Sequence, residues 1–117
     1  MDAYDRQAEL LKALAHPVRL QILDTLRDGE QCVCHIEAVL GLRQAYISQQ
    51  LMMLRKAGLV ADRKDGLRVY YHITDRAALR VLDQARTLLE RQGVTFAPTP
   101  AIAPHKCPCP NCCSSAA

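Results

Sequence analysis

Apolar residues recur with helical spacing along most of the first sixty positions and again near the end of the first ninety. Ile47, Leu51 and Leu54, for example, follow one another at i, i+4 and i+7, which predicts one buried stripe on a helix. The predicted helices cover residues 5–15, about 17–28, about 34–40, about 43–57 and about 76–92. Pro17 suits the first position of the second helix, and His16 before it is expected to pack or to cap that helix.

The spacing changes to the alternation of strands between residues 59 and 73. Asp65-Gly66 separates two strand-like runs, Leu59–Lys64 and Leu67–Ile73, and this dipeptide between such runs is a strong hairpin signal. In the second run the apolar side is expected to be Val69, Tyr71 and Ile73, and the polar side Arg68, Tyr70 and His72. Two helices joined by a glycine-containing turn and followed by a hairpin predict a mainly α fold with a helix-turn-helix and a small β-hairpin.

The composition changes after Gly93, because five of the six prolines lie beyond it. We therefore expect one folded domain over residues 1–93, which binds DNA and dimerises, and a flexible Pro/Cys-rich metal-binding tail over residues 94–117. No apolar run reaches the length of a membrane span. The N-terminal residues lack the basic-then-apolar order of a signal peptide, so a cytoplasmic protein is predicted.

Positive charge is concentrated in one part of the chain. Residues 43–72 contain six basic and two acidic side chains, although the whole chain carries a formal net charge of only +3. A local basic surface on a nearly neutral protein is typical of phosphate contact. The predicted partner is therefore double-stranded DNA.

The residues predicted to contact DNA are Arg43, Gln44, Tyr46, Ser48, Gln49, Gln50, Arg63, Lys64 and Arg68. The first six lie in the N-terminal part of the fourth predicted helix, outside its apolar stripe, where glutamine can pair with adenine in the major groove. Arg43 and Ser48 are expected to contact phosphate rather than bases. The last three lie around the predicted hairpin tip, within reach of flanking phosphate or the minor groove.

All six cysteines fall into two clusters, Cys32 and Cys34 before the helix-turn-helix and Cys107, Cys109, Cys112 and Cys113 in the tail. Thiolates beside a DNA-reading unit suit a soft ion. Side chains two positions apart on a helix point about 200° away from each other. The first pair can therefore converge on one ion only if this stretch is extended or unwound, and we expect ion binding to distort the start of the third helix. Alternatives are a pair of buried core cysteines, and a tail that chelates an ion independently of DNA or forms a zinc knot.

Three stretches resemble a known family. Leu14-Ala-His-Pro-Val-Arg-Leu-Gln-Ile-Leu, Gln44-Ala-Tyr-Ile-Ser-Gln-Gln-Leu-Met-Met-Leu-Arg-Lys-Ala-Gly-Leu-Val and Asp65-Gly-Leu-Arg-Val-Tyr-Tyr resemble, in order and spacing, the ArsR/SmtB winged-helix metalloregulators over about residues 10–92. The resemblance implies a winged helix-turn-helix homodimer with the first and last helices at its interface. It also implies a repressor that leaves its operator on binding a toxic metal or metalloid. Two-fold symmetry then predicts an inverted-repeat operator with half-sites about 34–36 Å apart.

Gln31-Cys-Val-Cys-His-Ile is similar to the Cys-Val-Cys motif with which arsenic and antimony sensors, and cadmium and lead sensors, of this family hold their ion. Those arsenic sensors often carry a further cysteine three positions on, where this chain has Glu37. Either a third ligand comes from elsewhere, with the tail cysteines as the expected donors, or the site uses only two sulfurs. The last predicted helix contains no histidine, so the family's zinc site on that helix is not supported. The leading interpretation is As(III) or Sb(III) as inducer, without an organic cofactor.

Two further interpretations stay open at this point. The first keeps the fold but makes Cd(II) or Pb(II) the inducer, with four sulfur ligands instead of three. The second is a thiol redox sensor in which Cys32 or Cys34 forms a disulfide with the tail. An enzyme is the least supported class, because no nucleophile–base pair or phosphate-binding loop is visible.

Overall fold

A computed structural model of the chain describes residues 2–97, in which five helices accompany one small antiparallel sheet. The elements are α1 (Ala3–Leu14), α2 (Pro17–Thr25), β1 (Gln31–Cys32), α3 (Val33–Leu40), α4 (Gln44–Lys56), β2 (Val60–Asp65), β3 (Arg68–Ile73) and α5 (Ala77–Arg91). Helices α3 and α4 form the helix-turn-helix, and the β2–β3 hairpin after it is the wing. The predicted mainly α fold with a small hairpin is confirmed. None of the described helices is both long and apolar enough to span a bilayer.

The core lies where α2, α3 and α4 pack together against the sheet. Ile22 and Leu23 of α2 and Ile47, Leu51 and Leu54 of α4 are completely buried. These residues confirm the apolar faces predicted on the second and fourth helices. Their burial fixes which side of α4 remains available to solvent.

Local sequence explains the limits of α2 and α3. Nδ1 of His16 accepts a hydrogen bond from the Val18 N–H at 3.1 Å, which confirms the predicted helix cap. Helix α2 ends at Thr25 rather than near Asp28, because residues 26–28 form a turn that leads toward β1. Gly41 ends α3 in the left-handed region at φ 64°, which glycine adopts without a steric penalty.

Strand β1 was not predicted. It has only two residues, too few to show an alternating pattern, and it pairs with β3 so that Cys32 lies opposite Tyr70. The strand order β1-β3-β2 makes β3 the central strand. The expectation that Tyr70 belongs to the polar side of its strand is therefore wrong, because its neighbours leave it only 4% exposed.

The turn of the wing lies one residue later than predicted. Asp65 pairs with Arg68 across the two strands, so that Gly66 and Leu67 form the loop between them. Gly66 takes a φ of 63°, and glycine is favoured at such positions in two-residue hairpin loops. Leu67 is fully exposed at the tip.

Helices α1 and α5 leave much of their apolar surface uncovered. Leu14 is the buried residue of α1, and Leu79 is that of α5. Ala85 and Leu89 are exposed, although the sequence pattern placed them on the same side as Leu79. The exposed large apolar residues of the two helices are Tyr4, Leu10, Leu11, Val81, Leu88 and Leu89.

Candidate nucleic-acid interface and cysteine site

Helix α4 presents a polar face opposite its buried stripe. Gln44, Tyr46, Ser48 and Gln49 are exposed, as predicted. Arg43 precedes the helix as its N-cap residue in an extended conformation and is also exposed. Because the buried side of α4 is fixed by the core, this face is the one that can enter a groove of DNA.

Gln50 does not belong to that face. Its side chain is 6% exposed, and Oε1 accepts a hydrogen bond from Nε of Arg19 at 2.9 Å. The expectation that Gln50 points outward with its neighbours is therefore wrong. Position 50 lies one helical turn after Tyr46 but next to the buried Leu51, and the guanidinium from α2 satisfies its amide there.

The basic residues of the wing differ in their surroundings. Arg68 flanks the loop at the tip, Lys64 lies one strand pair behind it, and Arg63 lies one pair further back on β2. The guanidinium of Arg63 donates to both carboxylate oxygens of Glu30, at 2.6 and 3.2 Å, and lies 4.7 Å above the ring of Tyr70. This ion pair lowers the pKa of Glu30 below its ordinary value. Sequence reasoning missed Glu30 and Tyr70, since nothing in their local pattern signals contacts across more than thirty positions.

Cys32 and Cys34 meet at the junction of β1 and α3, where they form a disulfide with each other. Cys32 is the N-cap of α3, and its Sγ accepts a hydrogen bond from the His35 N–H at 3.1 Å. The side chain of Cys32 is almost completely buried, at 1% exposure. The two sulfurs therefore meet at a helix start, where Cys32 is buried and Cys34 is partly exposed.

The structure confirms that the two sulfurs meet where the backbone is not fully helical. Cys32 lies outside α3 with an extended backbone, which is one of the two geometries that the spacing allows, and only Cys34 is helical. The predicted start of the third helix at Cys34 is one residue late, since α3 begins at Val33. The disulfide joins neighbouring cysteines, whereas the redox interpretation expected a bond to the tail.

A cleft of about 340 Å³ opens beside the two cysteines. Gln44 and Ser48 of α4 line one side of it, and Leu67 and Arg68 of the wing tip line another. Glu37, at the position where arsenic sensors of the resembled family often have a cysteine, lies in the same cleft. The cysteine site and the proposed DNA-contacting elements thus share one cavity.

The residues described here supply two sulfurs but not a complete ligand set. Within residues 2–97, no group of three or more His, Cys, Asp or Glu side chains is arranged to hold a metal ion. Burial lowers the pKa of His35, because desolvation disfavours the charged ring. The four predicted tail ligands, Cys107, Cys109, Cys112 and Cys113, lie outside the described residues.

Comparison with known proteins places this fold and these motifs in a family. The family described as "Bacterial regulatory protein, arsR family" matches residues 16–62. Over 76 residues the chain is 43% identical to the biofilm growth-associated repressor of Agrobacterium fabrum. That alignment covers 65% of each protein, slightly less than two thirds of the relative.

Solved structures agree with this assignment. The crystal structure of the transcriptional repressor BigR from Xylella fastidiosa matches with a TM-score of 0.68 at 36% identity, and covers 73% of this chain and 87% of that one. The homodimeric winged helix-turn-helix DNA-binding domain of a possible ArsR-family regulator from Mycobacterium bovis matches with a TM-score of 0.68 at 35% identity, and covers 76% and 82%. The chain therefore belongs to the arsR family of bacterial regulatory proteins, which are winged helix-turn-helix transcriptional regulators and not enzymes.

Proposed function

We propose that this chain is a cytoplasmic, homodimeric repressor that binds an inverted-repeat operator and leaves it on binding As(III) or Sb(III). In this proposal the DNA contacts come from the exposed face of α4 and from the wing tip. The inducer binds to Cys32, Cys34 and at least one tail cysteine. The repressor role is supported by relatives that are named as repressors.

One observation carries the proposal: Cys32 and Cys34 line a cleft whose walls include α4 and the wing. Soft trivalent ions prefer thiolate ligands. An ion held at this cleft lies beside Gln44 and Ser48 on one side and Arg68 on another. Its binding can therefore change the relative position of the two elements that must engage DNA together.

The ligand chemistry requires the reduced form of the cysteines. Arsenous acid reacts with three thiols to form three As–S bonds and release three molecules of water, with no change in oxidation state. The Cys32–Cys34 disulfide must therefore be reduced before the ion binds. The third sulfur comes from the tail in this proposal, because the described residues provide only two.

The cap of α3 supplies a physical link between ion and helix. Sγ of Cys32 accepts the His35 N–H and thereby satisfies one of the unpaired donors at the helix start. Electron density donated to an ion weakens the same sulfur as a hydrogen-bond acceptor, so the first turn of α3 loosens. Allosteric coupling of about 1–3 kcal/mol would weaken operator binding roughly 5–150-fold.

Dimerisation is supported by the uncovered apolar faces of α1 and α5. Leu11 is 47% exposed and Leu88 is 59% exposed, on amphipathic helices that otherwise pack only lightly on the core. Such surfaces are typical of protein–protein contacts. A solved relative with this fold is a homodimer.

Fluorescence anisotropy with a labelled operator tests the proposal, after the operator has been selected from random DNA by enrichment of bound sequences. Reduced protein is titrated separately with As(III), Cd(II), Pb(II) and Zn(II). We expect As(III) to release the wild-type protein and to leave a Cys32→Ser/Cys34→Ser variant bound. A variant in which all four tail cysteines are replaced by serine should need a higher As(III) concentration. Release of the Cys32→Ser/Cys34→Ser variant at the wild-type As(III) concentration would remove this pair from the mechanism.

X-ray absorption separates the trivalent ions from Cd(II) or Pb(II) as inducer. Bound As(III) is expected to have three sulfur neighbours. Release by Cd(II) at lower concentration than by As(III), with four sulfurs around the ion, would favour the divalent interpretation. The operator and the release assay are the same in both cases, so the comparison depends only on the ion.

The Cys32–Cys34 disulfide favours a second candidate, a thiol redox sensor. A hydroperoxide would oxidise the two thiols to the disulfide, and would itself be reduced to an alcohol and water. Peroxide is therefore added to reduced protein in the presence of a chelator. Release that is reversed by dithiothreitol and absent in Cys34→Ser would support this candidate, whereas unchanged operator binding would exclude it.

A further inference from the structure

Three side chains form one row across the sheet, from the cysteine site to the outer strand of the wing. Cys32 on β1 lies opposite Tyr70 on β3, and Tyr70 lies opposite Arg63 on β2. Cys32 and Tyr70 pack together as a small buried cluster. The guanidinium of Arg63 lies over the Tyr70 ring, with 4.7 Å between Cζ and the ring centroid.

Glu30 connects the two ends of this row. It lies two residues before Cys32, and its carboxylate accepts two hydrogen bonds from the Arg63 guanidinium, at 2.6 and 3.2 Å. Contacts and the chain itself thus connect four residues in a closed loop, which we call the wing clamp: Glu30, Cys32, Tyr70 and Arg63. It joins the segment that carries the cysteines to both strands of the wing.

We propose that Arg63 is a positioning residue that couples the state of Cys32 to the wing, and that it does not contact DNA phosphate. The proposal rests on the proposed function in two respects, namely that the cysteine pair senses the inducer and that the wing contributes to operator binding. It replaces the simpler expectation that all three basic residues near the hairpin tip contact flanking phosphate or the minor groove. It assigns Arg63 and Glu30 to regulation and leaves Lys64 and Arg68 for DNA.

The existing contacts of Arg63 argue against a phosphate role. Its guanidinium is committed in a two-point ion pair, the geometry that arginine and carboxylate groups favour most. A phosphate that displaced Glu30 would have to bind beside a released carboxylate of the same sign. Lys64, the next residue on β2, is exposed and lies one position nearer the tip. It can reach phosphate without this competition.

The burial of the clamp argues for coupling. Cys32 is 1% exposed and Tyr70 is 4% exposed. Close-packed interiors cannot absorb a displaced sulfur without moving its neighbours. When Cys32 binds an ion, Tyr70 must therefore adjust, and the hairpin partner of Tyr70 is Arg63. Because the ion pair of Arg63 and Glu30 ties the wing to the cysteine segment, we expect the wing to move together with the Tyr70 ring.

The salt dependence of operator binding separates a phosphate contact from a positioning residue. We would measure it with reduced full-length protein for wild type, Arg63→Gln, Glu30→Gln and the matched control Lys64→Gln. The slope of log K against log salt is negative, and each lost phosphate contact lowers its magnitude by about 0.9. Lys64→Gln should show this decrease, whereas Arg63→Gln should keep the wild-type slope. A decrease in Arg63→Gln equal to that of Lys64→Gln would overturn the proposal.

The response to As(III) tests the coupling. The fold-loss of operator affinity on addition of As(III) should shrink toward one in both Arg63→Gln and Glu30→Gln, and the double variant should show no further loss. Arg63→Lys keeps the charge but not the two-point pair, so it should also respond weakly while it retains the fold. Full responses in Glu30→Gln and Arg63→Lys would contradict the coupling. A wild-type protein that ignores As(III) would instead contradict the proposed function, and the salt slopes would still decide whether Arg63 contacts phosphate.

Discussion

Nε of Arg19 donates a hydrogen bond to Oε1 of Gln50 at 2.9 Å, and this contact joins α2 to α4. The same guanidinium donates through Nη1 to the backbone carbonyl of Ala13 at 3.2 Å. One side chain on α2 therefore holds both the end of α1 and the middle of α4. We infer that Gln50 supports the orientation of α4 and leaves base contacts to the exposed glutamines.

Arg19→Ala should destabilise the protein by about 1–3 kcal/mol, because it removes the donor to a buried amide. The measurement is chemical denaturation at a fixed protomer concentration, since oligomers unfold at concentration-dependent midpoints. Gln49→Ala is the matched control, because Gln49 is the exposed neighbour on the same helix. It should change stability by less than about 0.5 kcal/mol and should weaken operator binding. Equal losses of unfolding free energy in the two variants would show that the Arg19–Gln50 contact does not stabilise the protein.

The contrast between Gln49 and Gln50 shows what the sequence could and could not predict. A stripe such as that of α4 repeats over several turns, so its period identifies the buried side without knowledge of the fold. The burial of a polar residue depends on a partner, and Arg19 lies 31 positions away. Two consecutive residues of a helix can therefore differ completely in exposure, and a pattern read from the sequence does not show which of them is buried.

The geometry of the cysteine site could not be predicted from the sequence either, because it depends on a very short strand. Its motif could be recognised from the sequence, but its geometry depends on β1, which has two residues and no detectable period. Only the pairing of Cys32 with Tyr70 reveals that the first cysteine lies outside the helix. Glu30 and Arg63 are likewise 33 positions apart in the sequence, and they can form their hydrogen bonds only because the sheet brings them together.

A variant of Asp83 should change how stability depends on pH. Two nitrogens of Arg27 donate to the Asp83 carboxylate at 2.8 and 3.0 Å and lower the pKa of Asp83 below its ordinary value of 3.8. The folded protein thus releases this proton more readily than the unfolded chain. The pair stabilises the fold above about pH 3.8, and this contribution is lost as the pH falls through the lower pKa of the folded state.

Asp83→Asn should therefore melt at a lower temperature than wild type near neutral pH, by an amount equivalent to about 1 kcal/mol or less for this partly exposed pair. The difference between the two melting temperatures should shrink as the pH is lowered below about 3.8. Thermal melts followed by circular dichroism between pH 3 and pH 7 provide the measurement. A difference that stays constant over this range would contradict the shifted pKa.

Replacing Cys32 should separate its role as a helix cap from its role as a ligand. Serine is a good N-cap and alanine is not, so Cys32→Ala should lose about 0.5–2 kcal/mol relative to Cys32→Ser in reduced protein. Neither variant should respond to As(III). The measurement is urea denaturation with dithiothreitol present, and Cys34→Ala against Cys34→Ser is the control pair, because Cys34 does not cap α3. Equal stabilities of the two Cys32 variants would show that the His35 N–H contact contributes little.

Charged substitutions on α1 and α5 should weaken dimerisation. A glutamate at a face that becomes buried loses its hydration, and each substitution occurs twice in a symmetric dimer. Leu11→Glu and Leu88→Glu should therefore raise the dimer dissociation constant at least about tenfold, the equivalent of 1.4 kcal/mol. Met52→Glu on α4 is the control, since Met52 has the same exposed fraction as Leu11, 47%, but lies on another helix. Sedimentation equilibrium without DNA measures all four proteins. If Met52→Glu dissociates the dimer and the other two variants do not, α4 and not the pair α1 and α5 forms the interface.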